Sequence, residues 1–368
     1  MPMESALKSP ARSDKWYVGG GRRLIFAPPF PQWLATPGFW DEAHFYEHRI
    51  QPVFAVTLLD GQTGVALKSR EATDPKWTPA SSLRLYSHGS VVSVETRGIG
   101  EGDALISELT FQNNDISTAH LHVVLWTVED TKVGTGHGVS LLSYQNGIVS
   151  YRMNIAGGVW TALALVPSAI SFCVQSSEGS AIQPRWEVTP FQELWIPRRL
   201  PSTMQTEGVT RGGLMYIALH TPAPLAGKRR RVVWAMRSFG TTKQEAVDGI
   251  VKSVEAAIAP PTYTRSTIAQ GRLSPSRGEE AGMHTLAEIA AGRWNRFGDG
   301  VPKFACSDPV IEKYFNYRLY GIHLNTLAGG FGAVKYPAVA EGIAYFRSPI
   351  SYSAQILVNE TRWMRDPA

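Results

Sequence analysis

The hydrophobic period of the chain changes once, near residue 240, and this change constrains the fold more than any other feature of the sequence. Before it, short runs of β-branched and aromatic residues recur between turn residues, as they do in strands. The runs cover 53–59, 90–96, 104–111, 120–127, 149–153, 161–166, 214–219 and 232–237. Because no helical period interrupts them, we expect antiparallel sheets packed as a large sandwich rather than alternating strands and helices.

Helical spacing follows the change of period and continues to the end of the sequence. It is present over 241–258, 284–297, 309–327 and 351–365. Residues 259–280 are rich in Pro, Ser, Thr, Arg and Gly, which predicts a linker. We therefore divide the chain into a β-sandwich domain over 16–238, a helical linker region over 239–305 and a further helical unit over 306–368.

The composition excludes several classes of protein. With 43% hydrophobic and 18% charged residues the chain is typical of a globular protein. Its net charge of +5 is scattered, and the densest basic run, 228–231, leads into an apolar strand, so we predict no nucleic-acid partner. No segment approaches the roughly 20 apolar residues of a membrane span, so no membrane partner is expected. The sequence does not indicate an oligomeric state.

The N-terminus and the cysteines predict a cytoplasmic protein. The first ten residues lack the apolar segment of a secretory signal. Only Cys173 and Cys306 are present, far apart in sequence, and this sparse use of cysteine suits a reducing compartment.

No cofactor or metal is predicted. The nine histidines include no recognisable ligand set. His120 and His122 share one face of a predicted strand, but without a third ligand a structural role is favoured. The glycine clusters lie between strands, whereas a phosphate-binding loop joins a strand to a helix.

The region from Gly329 to Ser353 is the candidate binding site. It concentrates aromatic and ionisable side chains between two predicted helices: Phe331, Lys335, Tyr336, Glu341, Tyr345, Phe346, Arg347 and Tyr352. Flat aromatic faces suit the C–H surfaces of a pyranose, and charged groups such as Glu341 and Arg347 suit its hydroxyls. The alternative is an intramolecular ion pair with aromatic packing around it, and composition does not separate the two.

Motifs in the last eighty residues resemble those of a known family. They are Trp294-Asn-Arg-Phe297, Val301-Pro-Lys-Phe304, Ser307-Asp-Pro309, Lys313-Tyr-Phe-Asn-Tyr-Arg318, Glu341-Gly-Ile-Ala-Tyr-Phe-Arg347 and Ile350-Ser-Tyr-Ser353. Together with the order of the domains, they resemble the six-hairpin glycosidases, in particular the group around glycoside hydrolase family 63 and the mannosylglycerate hydrolases. The resemblance implies a β-supersandwich, a helical linker and an (α/α)6 barrel. Residues 306–368 would be the first hairpin of that barrel, so we expect the barrel to be truncated.

The resemblance also implies a function. It predicts inverting hydrolysis of O-glycosidic bonds in an oligosaccharide or glycoside, with α-glucosidase-like or mannosidase-like specificity. Glu341, Tyr345, Phe346, Arg347 and Tyr352 would bind the substrate. The family's Trp-Asp pair cannot be placed in the first loop, where Tyr345-Phe346-Arg347 stands instead.

The catalytic carboxylates of this family lie beyond the first hairpin. We therefore assign no catalytic residue in this sequence and expect the chain alone to show little or no hydrolysis. An incomplete hairpin should also expose apolar surface. Two alternatives remain: a non-catalytic carbohydrate-binding or interaction protein built on the sandwich, and a structural subunit that completes its barrel with a separate chain.

Overall fold

Strands form most of the described residues up to Gly240. The computed structural model describes residues 17–20, 23–26, 36–68, 70–71, 75–114, 119–131, 138–155, 157–177, 182–196, 199–204, 213–225, 230–257, 284–332, 334–342, 347–348, 350–362 and 364. The strands are β1 (Leu24–Phe26), β2 (Gly38–Phe39), β3 (Ala43–Phe45), β4 (His48–Ile50), β5 (Phe54–Asp60), β6 (Arg70–Glu71), β7 (Lys76–Trp77), β8 (Ser81–His88), β9 (Val91–Ile99), β10 (Leu105–Asn113), β11 (Ala119–Asp130), β12 (Val139–Gln145), β13 (Ile148–Met153), β14 (Val159–Val166), β15 (Ser171–Ser177), β16 (Thr203–Met204), β17 (Leu214–Leu225), β18 (Arg230–Gly240), β19 (Thr326–Leu327) and β20 (Ala338–Val339).

Helices dominate after Gly240. They are α2 (Lys243–Ala257), α3 (Leu286–Gly300), α4 (Pro309–Asn325) and α5 (Ser351–Thr361), preceded within the sandwich by a 3-10 turn (Trp186–Val188) and a short helix, α1 (Phe191–Leu194). The predicted linker over 259–280 lies outside the described residues, as do residues 1–16.

Two large sheets face each other. The nine-stranded sheet has the order β12-β13-β14-β18-β10-β9-β8-β6, with β7 also paired to β8, and the six-stranded sheet has the order β16-β15-β17-β11-β5-β2. Their neighbouring strands are antiparallel except β15 and β16, which run parallel over two residue pairs. The sequence predicted antiparallel sheets, and this one short pair departs from that prediction.

The main hydrophobic core fills the space between the sheets. Alternate residues of each strand point inward, so Leu121, Val123 and Leu125 of β11 face Val233 and Ala235 of β18 across one cluster. Asn146 and Gly147 adopt positive φ in the tight turn from β12 to β13, as the Asn-Gly pair requires.

The outer faces of both sheets are also covered. Helices α2 and α3 bury Ile250, Val254 and Leu286 against Trp234 and Met236 of the nine-stranded sheet. On the six-stranded sheet, residues from 182–196 together with Leu200 cover Trp126 and its neighbours.

The turn between β9 and β10 fixes the linker helices to the sandwich. Arg293 of α3 binds Asp103 at 2.6 Å, and the backbone N–H of Gly102 donates to Ser253 Oγ of α2 at 3.3 Å. The domain boundaries predicted from sequence stay predictions, although β18 ends at Gly240 and α2 begins at Lys243.

Candidate functional site

Helices α4 and α5 form the frame of the candidate site. The Asp308 side chain caps α4 by accepting the N–H of Val310 at 2.8 Å, and Pro309 occupies the first turn. Arg318 of α4 donates twice to the Glu360 carboxylate of α5, at 3.0 and 2.8 Å. This bidentate pair joins the two helices on either side of the loop that the sequence singled out.

The loop between the helices is itself a small hairpin. Its strands β19 and β20 pair antiparallel, and Phe331 and Val334 pair again at the tip. Leu327, Val334 and Ala340 are buried in the same cluster as the sandwich interior. The hairpin is therefore anchored to the sandwich by apolar packing.

At its tip the hairpin contacts the turn between β3 and β4. The Phe331 ring lies 5.6 Å from Phe45, 5.2 Å from Tyr46 and 5.3 Å from His48, measured between ring centroids. Tyr46 Oη also donates to the carbonyl of Gly329 at 3.4 Å. The tip and the β3–β4 turn form the seam between the sandwich and the helical hairpin.

At its base the hairpin carries two of the residues singled out from sequence. Glu341 is exposed, and its backbone N–H donates to the carbonyl of Ser348 at 3.2 Å. Arg347 is only 1% exposed and donates to the carbonyl of Leu324 at 3.0 Å and to Asn325 Oδ1 at 3.3 Å. A cation at this position satisfies carbonyl groups at the C-terminus of α4 and complements the helix dipole.

Burial has a measurable consequence for Arg347. Loss of solvation lowers the pKa of its guanidinium to about 10. Among the residues that the structure describes, Arg347 bonds to Leu324 and Asn325 and forms no ion pair with Glu341. Whether Arg347 holds a sugar hydroxyl stays a prediction.

The structure describes only some of the other predicted site residues. Tyr345 and Phe346 lie outside the described residues. Tyr352 is in the first turn of α5, but its side chain is not among those described. Lys335 and Tyr336 are exposed on the hairpin, Tyr336 with 79% of its surface accessible.

Sequence reasoning missed the residues that the sandwich brings to the seam. Glu47 lies in the β3–β4 turn and His48 begins β4, with Glu47 Oε1 3.8 Å from His48 Nε2. Nothing in the sequence indicates that this turn meets a loop almost 300 residues later.

A histidine pair on the outer face of the six-stranded sheet is a separate polar cluster. His122 Nδ1 lies 2.6 Å from His220 Nε2, and His220 Nδ1 lies 3.1 Å from Ser171 Oγ. Burial lowers the pKa of His220 to about 3, with a smaller contribution from repulsion by His122. No group of three potential metal ligands occurs in the part of the chain that is described.

The hairpin of α4 and α5 exposes apolar side chains, as the sequence predicted. Val310 is 70% exposed, Ile311 52% and Tyr314 64%, all on α4, and Ile356 of α5 is 56% exposed. No described helix is both long and apolar enough to cross a bilayer.

Comparisons with known proteins give only remote similarities. No protein-family model and no curated protein matches the chain. Similar solved structures include the GH92-family glycosyl hydrolase CcMan5, with 11% identity, a TM-score of 0.44 and coverage of 92% of this chain and 43% of that one. A GH92 alpha-mannosidase from Bacteroides thetaiotaomicron has 10% identity and a TM-score of 0.38 over 88% of this chain and 38% of its own.

A human-microbiome protein assigned as a kojibiose phosphorylase is a third similar structure. It has 7% identity and a TM-score of 0.41, covering 85% of this chain and 43% of its own. The chain thus spans less than half the length of these structures. Alignments at such TM-scores do not establish a shared fold.

Proposed function

We propose that this chain is the N-terminal part of a glycoside hydrolase that binds an oligosaccharide or glycoside along the hairpin between α4 and α5. The observation that carries the proposal is the anchoring of this hairpin in the sandwich core through Leu327, Val334 and Ala340. The anchor presents the ionisable and aromatic groups of the hairpin on a fixed support, which a binding site requires.

The finer assignments follow from the resemblance of about residues 290–366 to the six-hairpin glycosidases. In that reading α4 and α5 are the first hairpin of an (α/α)6 barrel and hydrolysis inverts the anomeric centre. Glu341, Tyr345, Phe346 and Tyr352 would line the site for the sugar at the cleaved bond, and Arg347 would belong to it as a residue that positions the hairpin. Arg347, buried at the end of α4, holds the base of the hairpin from below, whereas Glu341 is exposed to ligand.

The test combines turnover and binding. We expect the 368-residue chain to release no significant amount of nitrophenol from 4-nitrophenyl α-D-mannopyranoside or 4-nitrophenyl α-D-glucopyranoside. Robust turnover would show that the catalytic pair is present, against the proposal. Methyl α-D-mannopyranoside or α-D-glucopyranoside should nevertheless bind, as measured by saturation-transfer NMR and titration.

Glu341→Gln should weaken that binding roughly tenfold or more, because a hydrogen bond to a charged group contributes about 1.5–3 kcal/mol. Glu187→Gln is the matched control, since Glu187 is also exposed but lies on the outer face of the six-stranded sheet. Binding that is unaffected by Glu341→Gln would favour the alternative, a carbohydrate-binding protein built on the sandwich alone.

A further inference from the structure

The β3–β4 turn is held firmly against the hairpin tip. Tyr46 adopts a φ of 53° in this turn, and its backbone N–H donates to the carbonyl of Arg23 at 2.7 Å. Its ring packs edge-on against Phe45 at 5.0 Å and tilts against Phe331 at 5.2 Å. Since both faces of the turn are packed, the next residue, Glu47, has a fixed backbone position.

The Glu47 carboxylate has unused capacity to accept hydrogen bonds. His48 Nε2 lies 3.8 Å from its Oε1, which is longer than a hydrogen bond. Its Oε2 is buried and has no hydrogen-bond partner among the described residues. The side chain as a whole is 29% exposed, so the residue borders solvent although Oε2 itself is covered. A carboxylate left in this state costs free energy that a hydroxyl donor would recover.

The hairpin residue that faces the Glu47 carboxylate is Gly332, which has no side chain. A Cβ at Gly332 would lie 2.5 Å from Glu47 Oε1, and Gly332 has a φ of +57° that favours glycine. Any other residue at 332 would push the carboxylate out of its place. The two domains therefore fit together here in a way that preserves the position of this one carboxylate.

We infer that Glu47 is a hydroxyl-binding residue supplied by the sandwich, at a second sugar subsite located at the hairpin tip. The tip and the base, where Glu341 lies, are separated by the length of the hairpin, on the order of 15–20 Å at about 3.3 Å per residue. One monosaccharide does not span that length, so the ligand class is an oligosaccharide. This inference rests on the proposed function and extends it to a specific additional contact.

The experiment measures binding of maltotriose and of an α-linked mannotriose to the full chain by titration calorimetry. Glu47→Gln, which keeps the size of the side chain, should weaken binding roughly tenfold. Gly332→Ala should weaken it similarly while Glu47 remains present, because the added methyl displaces the carboxylate. Gly89→Ala is the control: Gly89 has a comparable φ of +69° and open space around it, so it introduces similar backbone strain without a contact at the seam.

The outcomes separate this inference from the function on which it rests. Binding that is lost with Glu341→Gln but kept with both Glu47→Gln and Gly332→Ala would overturn the tip subsite and leave the proposed function intact. A wild-type chain that binds neither trisaccharide nor the methyl glycosides would overturn both. Weakening by Gly332→Ala that Gly89→Ala reproduces would assign the effect to strain and also reject the inference.

Discussion

Arg237 places a positive charge inside the sandwich, between the two sheets. It is fully buried on β18 and donates to Glu129 Oε1 of β11 at 2.7 Å and to Tyr151 Oη at 3.0 Å. It also donates to the carbonyl of Val53, just after the β3–β4 hairpin. A buried charge persists only when it is paired and hydrogen-bonded. Here Glu129 joins Arg237 to the six-stranded sheet, and the carbonyl of Val53 joins it to the segment before β5.

Glu129→Gln should therefore destabilise the protein severely, by about 3–5 kcal/mol, because it leaves Arg237 buried without a counter-charge. Glu360→Gln is the matched control: it breaks the Arg318 pair, whose side chains are 39% and 28% exposed, and should cost about 1 kcal/mol or less. Urea unfolding of the two variants and the wild type measures both values. Equal losses would mean that the buried pair does not hold the sheets together as described.

At the scale of elements, helix α2 lies so close to the β9–β10 turn that glycine is needed on both sides. A Cβ at Gly102 would lie 2.7 Å from the Cα of Gly249, which is backbone and cannot rotate away. A Cβ at Gly249 would in turn lie 2.9 Å from the carbonyl oxygen of Gly102. This contact sets the distance between the linker helix and the nine-stranded sheet.

Gly102→Ala should cost about 1–3 kcal/mol, because overpacking forces the helix away from the sheet. The same substitution at Gly292, in the middle of α3, meets only Arg296 Nη1 at an ordinary 3.7 Å. There, alanine should be neutral or stabilise by up to about 1 kcal/mol through its better helix propensity. Thermal unfolding of both variants checks the contrast, and a Gly102→Ala variant as stable as the wild type would refute the close contact.

At the scale of the molecule, the strands were the easiest part to predict. All eight apolar runs overlap observed strands, because residues buried between two layers leave a continuous or alternating signal. Strands β8, β12 and β15 were missed. In β8 the apolar pattern is absent because three of its four buried side chains, Ser82, Arg84 and His88, are polar. The helices were predicted to within a few residues, because their caps and apolar period agree.

The site was harder to predict than the fold. The loop that carries Glu341 is recognisable from composition, but the burial of Arg347 depends on the end of α4 and not on its own neighbours in sequence. Composition does not identify Glu47 as a site residue, because its position next to Gly332 results from the packing of the whole chain. Local patterns specify elements, whereas a contact between two domains is a property of their packing.

Buried histidines make the whole molecule sensitive to acid. Burial lowers the pKa of His88 to about 4 and those of His220 and His323 to about 3. The unfolded chain has histidine pKa values near 6.5, so below that pH it binds protons that the native state does not. Their contribution to the free energy of unfolding is therefore complete above pH 6.5 and is lost as the pH falls toward 4.

Two buried carboxyl groups, Asp41 and Glu108, stabilise the native state as the pH falls, whereas a third, Glu95, destabilises it as the histidines do. Burial raises the pKa of Asp41 to about 6 and raises that of Glu108, so their contributions favour the native state as the pH falls. The pKa of Glu95 is lowered, chiefly by Arg97 against the desolvation of a buried site, and its contribution is lost in acid like that of the histidines. The loss from Glu95 falls below its ordinary pKa of 4.5. Between pH 7 and pH 5 the three histidines outweigh the two carboxyls, so the free energy of unfolding should decrease.

Urea unfolding at pH 7, 6 and 5 measures this dependence, in which each histidine contributes at most about 1.4 kcal/mol per pH unit. His88→Gln should show a smaller decrease than the wild type, because glutamine still offers Ser93 a partner in place of the 2.8 Å imidazole contact but takes up no proton. Asp41→Asn should show a larger decrease, because it removes a group that stabilises the native state in acid. The opposite signs of these two changes distinguish specific titration from a general weakening of the fold by acid, which would leave both variants parallel to the wild type.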